Sequence, residues 1–228
     1  MTKLAIFGDS FVDPMWKLQR YDWTWPNRLA QDYITNNHGH IGTGPDYALE
    51  HLLQYIEEHT AEQLNNTCLI FVCSDPHRLN LKDFWKENRN QVDLLRVADR
   101  SMPHPKYMFA RDIVRHLMVP GWSSKESFKI LNTVSNLSHQ FKRVLFWPAI
   151  DPYPIYMNMI QLATNLQLVQ PSLFTISAAS DIKSSGMDDM RVNHFDPPYH
   201  QILYEEMHSW IESGTVINTQ RLIPTPNA

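Results

Sequence analysis

A serine and a histidine at opposite ends of the chain have the types and positions that suit nucleophilic chemistry. Ser10 lies in Gly8-Asp9-Ser10, directly after an apolar run that predicts a buried strand. His194 lies in a loop just before an amphipathic helical pattern. A hydroxyl can attack a carbonyl carbon when an imidazole removes its proton near neutral pH. The pair therefore predicts a serine nucleophile with a histidine base.

Each member of the pair also has an ordinary structural explanation. Asp9 and Ser10 are residue types that cap helices and form turns. His194 is one of 11 histidines, and a single loop histidine is more often a surface residue than a base. Only the combination of the two positions favours chemistry.

The hydrophobic pattern predicts the elements that position these side chains. Continuous apolar runs predict buried strands, and amphipathic stretches between them predict helices. The predicted strands are Leu4–Phe7, Leu69–Val72, Val144–Trp147 and Leu173–Ile176, with a weaker strand placed on topology between Ile34 and Gly39. The predicted helices are Trp25–Ile34, Asp46–His59, Phe128–Phe141 and Gln201–Ile211. Buried strands that alternate with helices imply a parallel sheet covered on both faces.

The order of these blocks resembles the SGNH/GDSL hydrolase family over most of the chain. In that family a Gly-Asp-Ser follows the first strand, a glycine the second and an asparagine the third, and a histidine precedes the last helix. Ser10 and His194 match the first and last of these positions. The resemblance implies an α/β fold, a three-layer α/β/α sandwich with a flavodoxin-like parallel sheet of about five strands. It also implies a serine esterase that uses no metal and no organic cofactor.

The two middle blocks of the resemblance would supply the oxyanion site. Gly42 aligns with the family's glycine, whose backbone N–H helps to hold the oxyanion. Ser74 stands where the family has its asparagine, so a hydroxyl replaces an amide donor. Asn80 is an alternative donor if its loop folds back.

The family's orienting aspartate is replaced here, because Arg191 occupies that position. A small adjustment of the loop would bring Asp189, or its neighbour Asp188, to the Nδ1–H of the histidine. A backbone carbonyl in that role would leave a Ser-His dyad instead. Asp196 with His200 is a further acid-base pair, although its spacing is one residue too long for the motif.

An insertion at about 75–120 interrupts the alternation of strands and helices. It contains helical patterns and a turn-like segment, and its basic residues outnumber its acidic ones. No repeat or flexible linker divides the chain into halves. We therefore expect one SGNH-hydrolase-like domain over 1–228, with the insertion as a helical lid after the third strand.

Composition narrows the class of partner. The chain of 228 residues has 20 basic against 24 acidic side chains, a formal charge of −4 that disfavours nucleic acid. The apolar run at the N-terminus is too short for a signal or a membrane span, so a cytoplasmic protein without membrane contact is expected. Cys68 and Cys73 would point to opposite faces of a strand, which argues against a disulfide.

The expected activity is hydrolysis of a carboxylic ester, with an O-acetyl or short acyl group on a carbohydrate as the leading substrate. Tryptophan and tyrosine side chains soon after the nucleophile favour a sugar ring, since aromatic faces stack on such rings, although apolar core packing is the commoner reason for a tryptophan. These are Trp16, Tyr21, Trp23 and Trp25. The alternative is a binding or structural protein that kept the fold while catalysis weakened, for which Ser74 and Arg191 are the sequence indications.

Overall fold

A central parallel sheet organises the chain in the computed structural model. The structure describes residues 2–16, 19–41, 43–76, 78–80, 91–93, 121–151, 157–158, 160–173, 175–176, 195 and 197–223. The strands are β1 (Lys3–Phe7), β2 (Met15–Trp16), β3 (Gln19–Arg20), β4 (Ile34–Asn37), β5 (Thr67–Cys73), β6 (Arg78–Asn80), β7 (Gln91–Asp93), β8 (Arg143–Pro148) and β9 (Leu166–Leu168). The helices are α1 (Trp25–Asp32), α2 (Pro45–Glu58), α3 (Ala61–Asn65), α4 (Trp122–Leu137) and α5 (Pro197–Ser213).

The sheet has five strands in the order β4-β1-β5-β8-β9, and every neighbouring pair is parallel. In chain order this is the arrangement 2-1-3-4-5, so the flavodoxin-like order implied by the resemblance is confirmed. Strand β4 pairs with one edge of β1, and strand β5 pairs with the other edge of β1. The crevice at the carboxyl ends of β1 and β5 is therefore the topological switch point.

Two apolar cores cover the two faces of the sheet and make three layers. Helices α1 and α5 pack on one face, through Trp25, Leu29, Leu203, Met207 and Trp210. Helices α2, α3 and α4 pack on the other face, through Ala48, Leu52, Leu64, Ile130 and Val134. The structure thus has the α/β/α sandwich that was predicted.

The central strands are apolar on both sides because both faces are covered. In β1, Leu4 and Ile6 belong to one core, and Ala5 and Phe7 belong to the other. In β5, Cys68 and Cys73 are likewise divided between the two cores, and both thiols are free. The prediction of no disulfide between them is confirmed.

One predicted strand is wrong. Leu173, Thr175 and Ile176 lie in a helical turn, and the last strand of the sheet is β9. Ser172 starts this turn, since its Oγ accepts from the Thr175 N–H at 3.3 Å and its carbonyl accepts from the Ile176 N–H at 3.0 Å. Both apolar side chains are still buried, because a spacing of three residues puts them on the same side of a helical turn.

The other predicted elements are present with shifted ends. The weak strand after α1 exists as β4, which forms one edge of the sheet. The described residues of the predicted insertion form an antiparallel pair, β6 with β7, and the helical patterns predicted there lie outside the described residues. In the described ranges, no helix combines the length and apolar character needed to cross a bilayer.

Candidate active site

Ser10 lies at the switch point of the sheet. It is the third residue after β1 and is 7% exposed. Ser74 follows β5 and is also buried. In parallel sheets with this topology, ligands bind outside the carboxyl ends of the strands, so the serine is located where a substrate would enter.

A tight turn after β1 presents Ser10. The carbonyl of Asp9 accepts from the backbone N–H groups of Val12 (3.1 Å) and Asp13 (3.0 Å), and the Asp9 carboxylate accepts from the N–H of Phe11 at 3.1 Å. Gly8 enters this turn with φ +156°. A Cβ on Gly8 would lie 2.9 Å from the Val72 carbonyl oxygen, so the strand can approach β5 this closely only at a glycine.

The loop after β4 lies against this turn. The backbone N–H of His40 donates to the carbonyl of Gly8 at 3.2 Å, and the Asn37 side chain donates to the carbonyl of Val12 at 2.9 Å. The Ile41 N–H donates to Oδ2 of Asp13 at 2.7 Å. Gly42, the predicted oxyanion donor, lies outside the described residues, but both of its chain neighbours are described.

Ser74 is tied to the same loop. Its hydroxyl donates to the carbonyl of Thr43 at 3.2 Å, and the Thr43 hydroxyl donates to the carbonyl of His40 at 2.7 Å. A hydroxyl has only one proton. Ser74 therefore joins β5 to the loop in this structure, and donation to an oxyanion, which stays a prediction, requires this bond to be exchanged.

Phe195, which follows the predicted base in the sequence, contacts Phe11, which follows the predicted nucleophile. Phe195 is 2% exposed and packs edge-on against Phe11, with ring centroids 5.1 Å apart. His194 and Asp189 themselves lie outside the described residues. The structure thus brings Phe195, the residue bonded to His194, to the cavity that contains Ser10.

This cavity is small and largely apolar. Its volume is about 10 Å³, which is the space of roughly one water molecule. It is lined by Ser10, Phe11, Asp13, Thr24, Pro26, Phe195 and His200. A group that enters it next to the Ser10 hydroxyl has to be small unless the walls move.

His200 is a second histidine in the cavity, and its hydrogen bonding argues against the pairing with Asp196. Its Nδ1 accepts a hydrogen bond from the backbone N–H of Trp25 at 3.2 Å. A backbone N–H can only donate, so Nδ1 carries the lone pair and Nε2 carries the proton of the neutral ring. An orienting aspartate needs an N–H at Nδ1, and His200 does not have one in this arrangement.

The aromatic residues after the nucleophile have different environments. Trp25 is fully buried in the core and cannot contact a substrate. Trp23 is partly buried, with its ring 5.6 Å from that of Tyr21 and 5.0 Å from that of His200. The side chain of Trp16 lies outside what the structure describes. Tyr21 and Trp23 are therefore the members of this group placed to meet a ligand.

A titratable side chain lies beneath the same loop. His38 follows β4, stacks on Phe7 with ring centroids 4.8 Å apart, and has a buried Nε2 without a hydrogen-bond partner among the described residues. Burial lowers the pKa of His38, and the nearby His51 lowers it further. The folded protein therefore holds this ring neutral at pH values where a free histidine is partly charged.

This environment predicts that stability falls as the pH drops below about 6.5, the pKa of histidine in an unfolded chain. Below that pH the unfolded state binds a proton that the folded state does not bind, and the loss ends near the lowered folded pKa. His38→Phe keeps the stacked ring and removes the titration. Its melting temperature should fall less between pH 7.5 and pH 5 than that of the wild type. His139→Gln, at an exposed site, should behave as wild type, and equal slopes in all three proteins would contradict the prediction.

Five of the described residues that line the cavity were not singled out as site residues by sequence reasoning: Phe11, Asp13, Thr24, Pro26 and Phe195. Of these residues, Asp13 carries the clearest sequence signal, because it is an acidic residue three positions after the candidate nucleophile. No group of three or more potential metal ligands converges within the described part of the chain.

Comparison with known proteins gives little further information. The sequence matches no protein-family model and no curated protein. Among solved structures, the chain is similar to the psychrotrophic esterase EstA from Pseudoalteromonas sp., in a crystal structure inhibited by monoethylphosphonate. The identity is 14%, the alignment covers 94% of this chain and 98% of that one, and the TM-score is 0.49. At this degree of similarity, nothing about the chemistry is transferred from that protein.

Proposed function

We propose that this chain is a serine hydrolase of the SGNH/GDSL type that cleaves a carboxylic ester, with Ser10 as nucleophile and His194 as base. One observation carries the proposal: Phe11 and Phe195, the neighbours of the two residues in the chain, pack against each other at the switch point of the sheet. Phe195 is bonded directly to the proposed base, and consecutive Cα atoms are about 3.8 Å apart, so this contact supports the pairing of the two residues.

The proposed reaction has two steps. His194 removes the Ser10 proton as Oγ attacks the acyl carbon, and the protonated imidazole then gives that proton to the leaving alcohol. A water that loses a proton to the same histidine attacks the acyl-enzyme, and the imidazolium returns that proton to Ser10 Oγ as the acyl–oxygen bond breaks and the acid leaves. Asp189, Asp188 or a backbone carbonyl orients the ring, and the reaction requires no metal or organic cofactor.

Backbone donors carry most of the proposed oxyanion stabilisation. The N–H groups of Ser10 and Gly42 are the donors, since the hydroxyl of Ser74 is engaged by the Thr43 carbonyl. One such donor lowers the barrier by about 3 kcal/mol. Ser74 contributes chiefly by holding the loop, and it becomes a third donor only if it releases Thr43.

The substrate we propose is a short acyl ester of a saccharide. Support for a short acyl group comes from the cavity of about 10 Å³ beside Ser10. Support for a saccharide comes from the partly exposed rings of Tyr21 and Trp23, which are joined to the cavity through the contact of Trp23 with His200.

The test is labelling with a fluorophosphonate, which reacts with activated serines whatever their natural substrate. Wild type should gain one phosphonyl group, and Ser10→Ala should gain none. Ser213→Ala is the matched control, because this exposed serine lies at the far end of α5. It should label as wild type does.

Wild type and Ser213→Ala should hydrolyse p-nitrophenyl acetate near pH 8 at the same rate, and Ser10→Ala should show only background hydrolysis. Absence of labelling together with equal background hydrolysis would reject the enzyme. The binding or structural protein would then be the better explanation.

A further inference from the structure

Asp13 uses both carboxylate oxygens to join two segments of the candidate site. Oδ1 accepts from the backbone N–H of Met15, and Oδ2 accepts from the backbone N–H of Ile41, each at 2.7 Å. The backbone N–H of Asp13 donates to the carbonyl of Asp9 at 3.0 Å, so the residue belongs to the turn that presents Ser10. Its side chain thus connects the nucleophile turn to the loop after β4.

The bond to Ile41 is the shortest of the contacts that hold this loop on the turn. The His40 N–H lies 3.2 Å from the Gly8 carbonyl, and the Thr43 hydroxyl lies 3.4 Å from the same oxygen. Hydrogen bonds to an ionised acceptor are shorter and about twice as strong as neutral ones. The Asp13 carboxylate is therefore the charged partner in the attachment of the two segments, beside the neutral bond from the Asn37 side chain to the Val12 carbonyl at 2.9 Å.

We propose that Asp13 is a positioning residue that fixes the loop after β4, at Ile41, relative to the turn that presents Ser10. The inference rests on the proposed function, because Ile41 is bonded directly to Gly42. Negative charge develops on the substrate oxygen only in the transition state. A displaced donor therefore reduces the stabilisation of the transition state more than the binding of the substrate. A misplacement of about 1 Å costs about 100-fold in rate.

The test is Asp13→Asn in hydrolysis of p-nitrophenyl acetate. The asparagine presents one oxygen, and its amide group cannot accept from the second N–H. We expect kcat to fall about 100-fold with KM within about twofold of wild type. The apparent pKa of the pH–rate profile should stay unchanged, because the base is not altered. A loss caused by unfolding would instead lower the melting temperature and the active fraction.

Asp32→Asn is the matched control. Asp32 also accepts a short hydrogen bond, 2.7 Å from the hydroxyl of Tyr204, but it lies at the end of α1. Its kcat should match that of wild type.

Asp13→Glu covers the case in which Asp13→Asn does not fold. The glutamate keeps the charge and displaces it by one methylene, so kcat should be intermediate. Each variant is assayed well below its melting temperature.

The outcomes separate the inference from the function on which it rests. Wild-type kcat in a folded Asp13→Asn or Asp13→Glu protein overturns the positioning role, while hydrolysis that depends on Ser10 upholds the enzyme. Equal hydrolysis by wild type and Ser10→Ala rejects the enzyme, and the role of Asp13 falls with it. A rise in KM at unchanged kcat would place Asp13 in substrate binding and also overturns the proposal.

Discussion

Replacing His194 by alanine is expected to lower kcat for ester hydrolysis by about 1000-fold, whereas His200→Gln should lower it by less than about tenfold. A general base contributes about 10²–10⁴-fold, and the Trp25 N–H occupies the one acceptor nitrogen of the neutral His200 ring, which leaves no nitrogen to take the serine proton. Glutamine can still accept from the Trp25 N–H through its side-chain oxygen. Both effects would be measured from initial rates of p-nitrophenyl acetate hydrolysis at pH 8.

The two histidines serve as controls for each other. Both belong to the segment 194–200, in which His194 precedes α5 in the chain and His200 lies in the first turn of α5 and lines the Ser10 cavity. A general loosening of this segment would reduce the activity of both variants equally. The reverse order, with His200→Gln inactive and His194→Ala active, would assign the base to His200 and contradict the mechanism proposed above.

Gly8→Ala is expected to destabilise the fold by about 3 kcal/mol or more. The added Cβ would lie 2.8 Å from Cγ2 of Val12 and 2.9 Å from the carbonyl oxygen of Val72, and an alanine rarely adopts φ +156°. In a chain of this size the melting temperature should fall by roughly 6–12 °C. Thermal unfolding followed by circular dichroism measures the change.

Gly214→Ala provides the matched comparison. Gly214 also has a positive φ of +76°, but the nearest atom to its Cβ would be Nε of Arg143, at 3.2 Å on a flexible side chain. Its cost should be only the left-handed backbone, about 1 kcal/mol. Equal shifts in the two variants would mean that crowding at Gly8 is relieved by movement of β5.

Local pattern was sufficient to predict the central strands and the helices around them. Leu4–Phe7 and Leu69–Val72 are continuous apolar runs because both faces of the sheet are covered, and such runs are distinctive in a sequence. Even the polar edge strand β4 followed from topology. Its neighbour β1 requires a parallel partner after α1, although Ile34–Asn37 has little strand character of its own.

The hydrophobic pattern gave a wrong prediction where buried apolar residues do not belong to a strand. Leu173 and Ile176 are buried as the prediction required, but they are buried in a helical turn begun by Ser172. The true edge strand, Leu166–Leu168, is short, and its second and third residues are only partly buried. An apolar run of this length does not distinguish a strand from a buried helical turn.

The candidate site could be predicted only in part, for a related reason. Ser10 could be proposed as a nucleophile because its position after β1 is visible in the sequence. The contact of Asp13 with Ile41 and the hydrogen bond from Trp25 to His200 join segments far apart in the chain. Such contacts are fixed by how the elements pack, which no local spacing encodes.

The contact between Phe11 and Phe195 also bears on when activity can arise during synthesis. Ser10 and its turn are synthesised before Phe195 and His200, which complete the cavity. Domains fold as units when their last packing elements arrive. A nascent chain that still lacks α5 therefore lacks residues that complete this cavity, so the hydrolysis proposed above could start only after they are made.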